Sequence, residues 1–151
     1  MSWRLWHIFL VLLIGSSFAY SKNTPFKHLG LGFFFGEPTG ISLGYYASDA
    51  HVINGILGWS FGKNSALLLT ADYTYRGNLG ISAGQLFLYA GLGVHMKFSS
   101  DIDLGVRIPL GLSYFTPQIP LEIFFELCPG MKLIPATDPF LDGGLGIRWR
   151  F

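Results

Sequence analysis

The feature that most constrains this chain is a two-residue alternation of side chains that recurs along most of its length. It is clearest at the C-terminus, where apolar residues share one parity: Leu141, Leu145, Ile147, Trp149 and Phe151. The opposite parity holds Asp142, Gly144, Gly146, Arg148 and Arg150. Successive side chains of a β-strand point to opposite faces, so this pattern predicts strands with one apolar and one small or polar face.

Clusters rich in glycine, proline, Asn, Asp and Ser interrupt the alternation, and these residues favour turns. The breaks fall at 37–40, 48–51, 62–65, 76–84, 99–101, 116–120 and 135–139. Seven breaks separate eight segments, which predicts eight antiparallel strands in one domain.

Charged residues inside the segments all share the small or polar face. They are Asp72, Lys97, Asp103, Arg107, Glu122, Glu126, Lys132, Asp142, Arg148 and Arg150. Other charges, such as those of Glu37, Lys63, Arg76 and Asp138, are expected in turns or at strand ends. The ten in-strand charges comprise five acids and five bases, and such a balance suits an enclosed space because buried charges need partners.

Two architectures fit eight alternating strands: a soluble lipocalin-like barrel and a membrane barrel with the polar face inside. Charged residues make up 13% of the chain and hydrophobic residues 50%, whereas soluble domains carry about 25% charged residues. Most glycines share the charged face, where they would make room for large ions inside a narrow barrel. The outward aromatics expected near strand ends are Tyr45, Trp59, Tyr73, Tyr75, Tyr114 and Phe151. We therefore predict an eight-stranded, up-and-down transmembrane β-barrel.

The N-terminus has the pattern of a secretory signal peptide. Arg4 precedes an apolar run at 8–14, and small residues follow, including Ser17 and Ala19. We predict a signal peptide over 1–19, cleaved after Ala19 or alternatively after Ser21, and a barrel over 20–151. The apolar run is shorter than the roughly 20 residues of a membrane-spanning helix, which disfavours an anchor.

The last residues also resemble the signature by which the assembly machinery recognises outer-membrane barrels, with Leu145, Ile147, Trp149 and Phe151 at alternate positions. Together with the stretches 36–40, 71–73, 105–111 and 141–151, they make the chain similar to short eight-stranded outer-membrane barrels of the OmpA-like transmembrane type. Within that type it resembles a family of uncharacterised small barrels. The resemblance implies a fold and an outer-membrane location, and no activity.

Candidate catalytic groups do not form a convincing set. Glu122 and Glu126 on one strand would lie about 13 Å apart, at about 3.3 Å per residue, too far for a glycosidase pair. His95 with Tyr89 and Asp72 lacks a neighbouring serine nucleophile. No histidine spacing fits zinc, and the GxG pairs precede no helix. We predict a protein that is not an enzyme and has no metal or cofactor.

Several features of topology and partners also follow. Pro109 and Pro129 would each remove a ladder hydrogen bond and favour a bulge. Placing Phe151 at the periplasmic end makes the long break at 76–84 periplasmic, although such turns are usually short.

The net charge of +1 and the absence of a basic run argue against nucleic acid as a partner. The single cysteine, Cys128, excludes an internal disulfide.

The leading functional hypothesis is an integral outer-membrane protein whose lumen is plugged by an ionic and hydrogen-bonded network. Its role would be structural or interactive in the cell envelope, and its partners outer-membrane lipid and the assembly machinery, with the barrel itself monomeric. A narrow passive channel for ions or small solutes is the alternative. An adhesin or ligand binder is a further one, disfavoured by short loops, and a soluble ligand carrier is the fourth.

Overall fold

The computed structural model describes residues 28–60 and 65–151, and the predicted signal peptide and its cleavage positions lie outside them. Nine strands are described. They are β1 (Leu29–Glu37), β2 (Thr39–Tyr46), β3 (His51–Ser60), β4 (Ala66–Asn78), β5 (Gln85–Phe98), β6 (Ile102–Arg107), β7 (Leu110–Phe115), β8 (Leu121–Ile134) and β9 (Asp138–Arg150). Within the described ranges, no helix is long and apolar enough to cross a bilayer.

All neighbouring strands are antiparallel, and they close into a ring. Each strand pairs with the next along the chain except that β6 does not pair with β7; β5 and β8 each pair with both of them, and β9 returns to β1. On β5, Gly93 faces Arg107 and Ala90 faces Leu110, so β6 and β7 keep one register. They are two parts of a single strand. The predicted eight-stranded antiparallel barrel is confirmed.

The interruption between β6 and β7 lies where two prolines meet. Arg107 pairs with Gly130 and Leu110 with Leu127, so Pro109 and Pro129 both fall in the intervening gap of the ladder with β8. Neither proline has an amide hydrogen, which explains the gap. The bulges expected at the prolines do not appear in the pairing of β6 and β7 with β8. The register shift in that pairing lies between Leu104 and Gly105.

Burial alternates along the strands with the parity of the sequence pattern. β4, for example, alternates between buried and exposed residues from Ala66 to Arg76. The outer wall is apolar, with Leu92 70% exposed and Leu141 68% exposed. The inner face carries the buried polar and charged residues. The barrel therefore has the reverse polarity of a water-soluble protein.

Inside the barrel, glycines face large side chains. A Cβ atom at Gly146 on β9 would overlap the ring of Phe124 on β8, and one at Gly93 would overlap the carboxylate of Asp72. Phe124 in turn stacks on Phe34 with ring centroids 5.8 Å apart. The lumen is therefore filled by side chains for which the neighbouring strand leaves room, as expected for eight strands.

The two ends of the barrel differ in what they hold. The terminal end carries Leu29, Arg150 and the turns at 47–50, 79–84 and 116–120. The distal end carries Pro38 and the turns at 99–101 and 135–137. Every described connection is short, and Pro38 alone separates β1 from β2.

One sequence expectation about the terminal end is wrong. The break expected at 76–84 starts only after Asn78, and Arg76, expected in a turn or at a strand end, lies near the end of β4 inside the lumen with 5% of its surface exposed. Its parity matches that of Asp72 and Thr74 on the same strand. The ladder with β5 continues through this region, where Arg76 faces Tyr89.

Candidate functional site in the barrel lumen

The middle of the lumen is organised around Arg107, which is 1% exposed. Its Nε lies 3.0 Å from Asp72 Oδ1, and its Nη2 donates to Glu126 Oε1 at 2.7 Å. The Tyr89 hydroxyl donates to the other Glu126 oxygen at 2.8 Å. These residues and Asp142, whose Oδ2 lies 3.9 Å from Arg107 Nη1, form what we call the Arg107 cluster.

His95 adjoins the Arg107 cluster on its distal side. Its Nδ1 lies 3.7 Å from Asp142 Oδ2, and its ring centroid lies 4.7 Å from that of Phe140. His95, Tyr89 and Asp72 form the catalytic set considered in the sequence analysis. All three side chains are buried, so a substrate could not reach them. Neither Tyr89 nor Asp72 makes a described hydrogen bond to His95, since both are engaged by Glu126 and Arg107 respectively.

A second group of contacts lies closer to the terminal end, around Arg148. Its Nε donates to Ser42 Oγ at 2.8 Å, and its Nη1 lies 3.5 Å from Glu122 Oε2. Ser113 donates to Glu122 Oε1 at 2.6 Å, and the hydroxyl of Tyr46 donates to Glu122 Oε2. We call these five residues the Arg148 cluster. Its single carboxylate therefore accepts two hydroxyl groups and faces one guanidinium.

The terminal mouth holds two further arginines over shared aromatic rings. The Arg76 guanidinium carbon lies 4.3 Å from the centroid of Phe87 and 5.0 Å from that of Phe115. The Arg150 guanidinium carbon lies 4.5 Å from the Phe115 centroid and 4.8 Å from that of Tyr46. Guanidinium groups are attracted to aromatic faces at such distances. We call Arg76 and Arg150 the mouth arginines.

The distal end of the lumen is more open. Lys132 Nζ lies 3.4 Å from Asp103 Oδ2, and both side chains are partly exposed. Lys97 faces Asp103 in the ladder between β5 and β6 but makes no ion pair with the described part of the chain. Salt bridges of this exposure contribute little to stability.

The ten charged residues expected in the lumen thus fall into distinct positions. The structure brings Asp72, Arg107, Glu126 and Asp142 together, pairs Glu122 with Arg148 and Asp103 with Lys132, and leaves Lys97 outside these groups. Arg150 lies against aromatic rings. Sequence reasoning missed Arg76, although its parity with Asp72 was visible. It also missed the hydroxyl groups that complete the Arg148 cluster, those of Ser42, Ser113 and Tyr46.

A small cavity remains between the Arg148 cluster and the mouth arginines. It has room for about one water molecule. Its walls are formed by Val52, Asn54, Thr74, Arg76, Tyr89, Ser113, Glu122, Phe124 and Arg148. Within residues 28–60 and 65–151, no group of three or more His, Cys, Asp or Glu side chains could hold a metal ion.

These features define an eight-stranded antiparallel barrel with an apolar outer wall and a charged, side-chain-filled lumen. Among solved structures, the chain is similar to the N-terminal β-barrel domain of Pseudomonas aeruginosa OprF, with a TM-score of 0.58 and 18% sequence identity. The match covers 82% of this chain and 95% of that domain. It supports the OmpA-like β-barrel fold that the sequence resemblance implied. No protein-family model and no curated protein matches the chain.

Proposed function

We propose that the chain is an integral outer-membrane protein without enzymatic activity, whose lumen is closed by its ionic and hydrogen-bonded network. Its role is structural or interactive in the cell envelope. The observation that carries the proposal is the reversed polarity of the barrel, with Leu92 and Leu141 among the most exposed residues and Arg107 among the most buried. Such a surface matches lipid and not water.

The closed lumen rests on how the interior is filled. The Arg107 cluster crosses the middle of the barrel, the stack of Phe34 on Phe124 lies beside the Arg148 cluster, and aromatic rings surround the mouth arginines. Buried ion pairs of this kind hold their geometry because separating the partners leaves an uncompensated charge. A continuous water path would need these contacts to separate.

Two experiments test the proposal. Cell fractionation followed by electrophoresis with and without heating should place a heat-modifiable band in the outer-membrane fraction. In planar bilayers, the purified protein should show no stable large conductance. Release into the periplasm without detergent would contradict the membrane assignment. A persistent wide pore would contradict the closed lumen while leaving the membrane assignment intact.

The polar cavity favours one second candidate, a narrow passive channel for ions or small solutes. Thr74 and Glu122 line this cavity, which lies between the Arg148 cluster and the mouth arginines. Part of the lumen is therefore polar and not filled by side chains. For a channel, replacing Arg107 or Glu126 by Ala should change the size and ion selectivity of discrete conductance steps. If the lumen is closed, the same replacements should produce irregular leakage at most.

The same proposal extends to assembly and partners. Leu145, Ile147, Trp149 and Phe151 all lie exposed on the outer face of β9 or directly after it, where the assembly machinery could bind them. Outer-membrane lipid is the partner of the apolar wall, and nucleic acid is not a partner. We propose a monomer, because the ring of strands closes on itself and leaves no edge to pair with another chain.

A further inference from the structure

The hairpin of β4 and β5 extends past its neighbour β3 at the terminal end of the barrel. The ladder between β3 and β4 ends at His51 and Tyr75, whereas the ladder between β4 and β5 continues for three more pairs, to Asn78 and Phe87. The turn at 79–84 follows. Along the direction of the strands, this hairpin therefore projects beyond the level at which β3 begins.

The projecting part of the hairpin keeps the apolar outer face of the barrel wall. Tyr73 and Tyr75 are exposed on the outer face of β4, and Leu79 continues their parity. Leu79 is 51% exposed, and Ile81 at the tip of the turn is 40% exposed. Tyrosine side chains are typical of the level where a membrane meets water. Apolar side chains therefore continue past the level of the tyrosines on this hairpin.

Charged residues are absent from this side of the terminal end. The ranges 77–96 and 108–121 contain no Asp, Glu, Lys or Arg. The second range includes the neighbouring turn at 116–120, in which Ile119 is exposed. The third turn of the terminal end differs, since it carries the exposed Asp49. One side of the terminal end is thus apolar and uncharged, and the other is polar.

The tip of the hairpin also has hydrogen-bond partners within the protein. The Gly80 amide donates to Asn78 Oδ1 at 2.7 Å, and the Tyr114 hydroxyl donates to Ala83 O at 3.5 Å. Gly80 and Gly84 have φ angles of 69° and 74°, which glycine adopts without strain. Backbone groups that are bonded within the protein cost less to move away from water. The turn is therefore suited to surroundings less polar than bulk water.

We propose that the turn at 79–84 is inserted among the headgroups and upper acyl chains of the membrane lipid, with Leu79 and Ile81 as its lipid contacts. This inference rests on the proposed membrane location of the barrel, and adds that this turn lies in lipid whereas the turn at 47–50 lies in water. Lipid is the favoured occupant because the apolar face is continuous with the outer wall through Leu88 and offers no charge for a polar partner to match.

Fluorescence quenching of labelled cysteine variants tests the proposal. Ile81→Cys, Asp49→Cys and Leu92→Cys are each made in a Cys128→Ser background, labelled with a nitrobenzoxadiazole fluorophore and folded into vesicles of dioleoylphosphatidylcholine. Dissolved iodide quenches labels that lie in water. Lipids with a nitroxide on the headgroup or on an acyl chain quench labels that lie in the membrane.

The Asp49 label is the matched control, because it places the same fluorophore at the tip of another turn of the terminal end. The control therefore also measures any attraction of the fluorophore itself to lipid. The hydrogen bond from Arg76 Nε to residue 49 uses the backbone carbonyl and remains in this variant. The Leu92 label lies on the outer wall, where 70% of the side chain is exposed, and reports on the membrane location itself.

We expect the nitroxide lipids to quench the Ile81 label, and iodide to quench it severalfold less than the Asp49 label. Equal iodide quenching at Ile81 and Asp49, with Leu92 still quenched by lipid, would overturn the inference and leave the membrane location intact. A Leu92 label that lipid does not quench would contradict both. An Ile81 label that neither quencher reaches would mean that protein, such as a second copy of the chain, covers the turn, and would overturn the lipid contact.

Discussion

Asp72 and Arg107 form their ion pair across an intervening strand. Asp72 on β4 and Arg107 on β6 both face Gly93 on β5 in the ladder, and their side chains meet 3.0 Å apart over that glycine. A Cβ atom at Gly93 would overlap the Asp72 carboxylate. The absence of a side chain on β5 is therefore what allows this long-range pair to form.

We expect Gly93→Ala to displace this pair and to lower the free energy of unfolding by about 3–5 kcal/mol, the usual cost of breaking a buried pair. Gly55→Ala is the matched control, because its Cβ would point outward with its nearest atom, Thr70 O, at 3.5 Å. That control should change stability by no more than about 0.5 kcal/mol. Urea titrations in lipid vesicles measure both, and equal effects would contradict the glycine's role.

Arg107→Met should also destabilise the barrel by about 3–5 kcal/mol, because Asp72, Glu126 and Asp142 would face each other without a cation. Lys97→Met, which removes a lumen cation outside any described ion pair, should cost under about 1 kcal/mol. Adding Glu126→Gln to Arg107→Met should recover part of the loss. The same titrations check this, and failure to recover stability would argue against charge as the cause.

A positive charge on the outer wall tests contact with lipid. Leu57→Arg in the middle of β3 should cost about 2–4 kcal/mol in bilayers, and His51→Arg on the same face at the strand's start about 0–1 kcal/mol. The depth dependence arises because a charge near the bilayer centre is surrounded by hydrocarbon, whereas a long side chain near the interface can reach water and headgroups. Refolding into vesicles at several urea concentrations measures it. A flat profile would mean that this face does not cross the bilayer.

The accessibility of Cys128 reports on the filled lumen. It is the chain's single cysteine and has 0% exposure, beside Asp142 in the ladder. A charged maleimide reagent should leave it unmodified in the folded barrel and modify it fully in urea. Ser99→Cys, in an exposed turn, should react in both states. Rapid labelling of folded Cys128 would show that bulk water reaches the lumen.

The C-terminal residue tests assembly separately from folding. Phe151→Ala keeps the backbone amide that donates to Leu29 O at 2.7 Å, so detergent refolding should change little. Insertion into the outer membrane of living cells should fall severalfold if the machinery reads the terminal aromatic residue. Pulse-labelling of the heat-modifiable form measures this, and unchanged insertion would exclude Phe151 from recognition.

Much of the architecture could be predicted because side chains alternate between the two faces of a strand, and this alternation is visible in the sequence. Strands such as β9 alternate so regularly that parity alone assigns Arg148 to the inside and Trp149 to the outside. Arg76 was misplaced because the turn-forming residues directly after it, from Gly77 to Gly80, favour an earlier strand end. In the ring, pairing with β5 extends β4 through them to Asn78.

The partners within the lumen could not be predicted. Arg148 donates to Ser42, 106 residues away, and the Tyr46 hydroxyl donates to Glu122 from a non-adjacent strand. Such contacts depend on how far each strand is staggered around the ring, and a single strand's alternation carries no information about stagger. The prolines show the same limit, since Pro109 and Pro129 become neighbours only through the register of β8.

The fit of Gly146 beneath the ring of Phe124 has a consequence for how such a barrel can diverge over generations. A larger residue at the glycine is tolerable only after the aromatic ring has shrunk, and a smaller residue at Phe124 first opens a void that destabilises the interior. Drift inside the cylinder must therefore proceed through coupled exchanges on adjacent strands. Exposed apolar residues of the outer wall, such as Leu92 and Leu141, can be exchanged for other apolar residues one at a time.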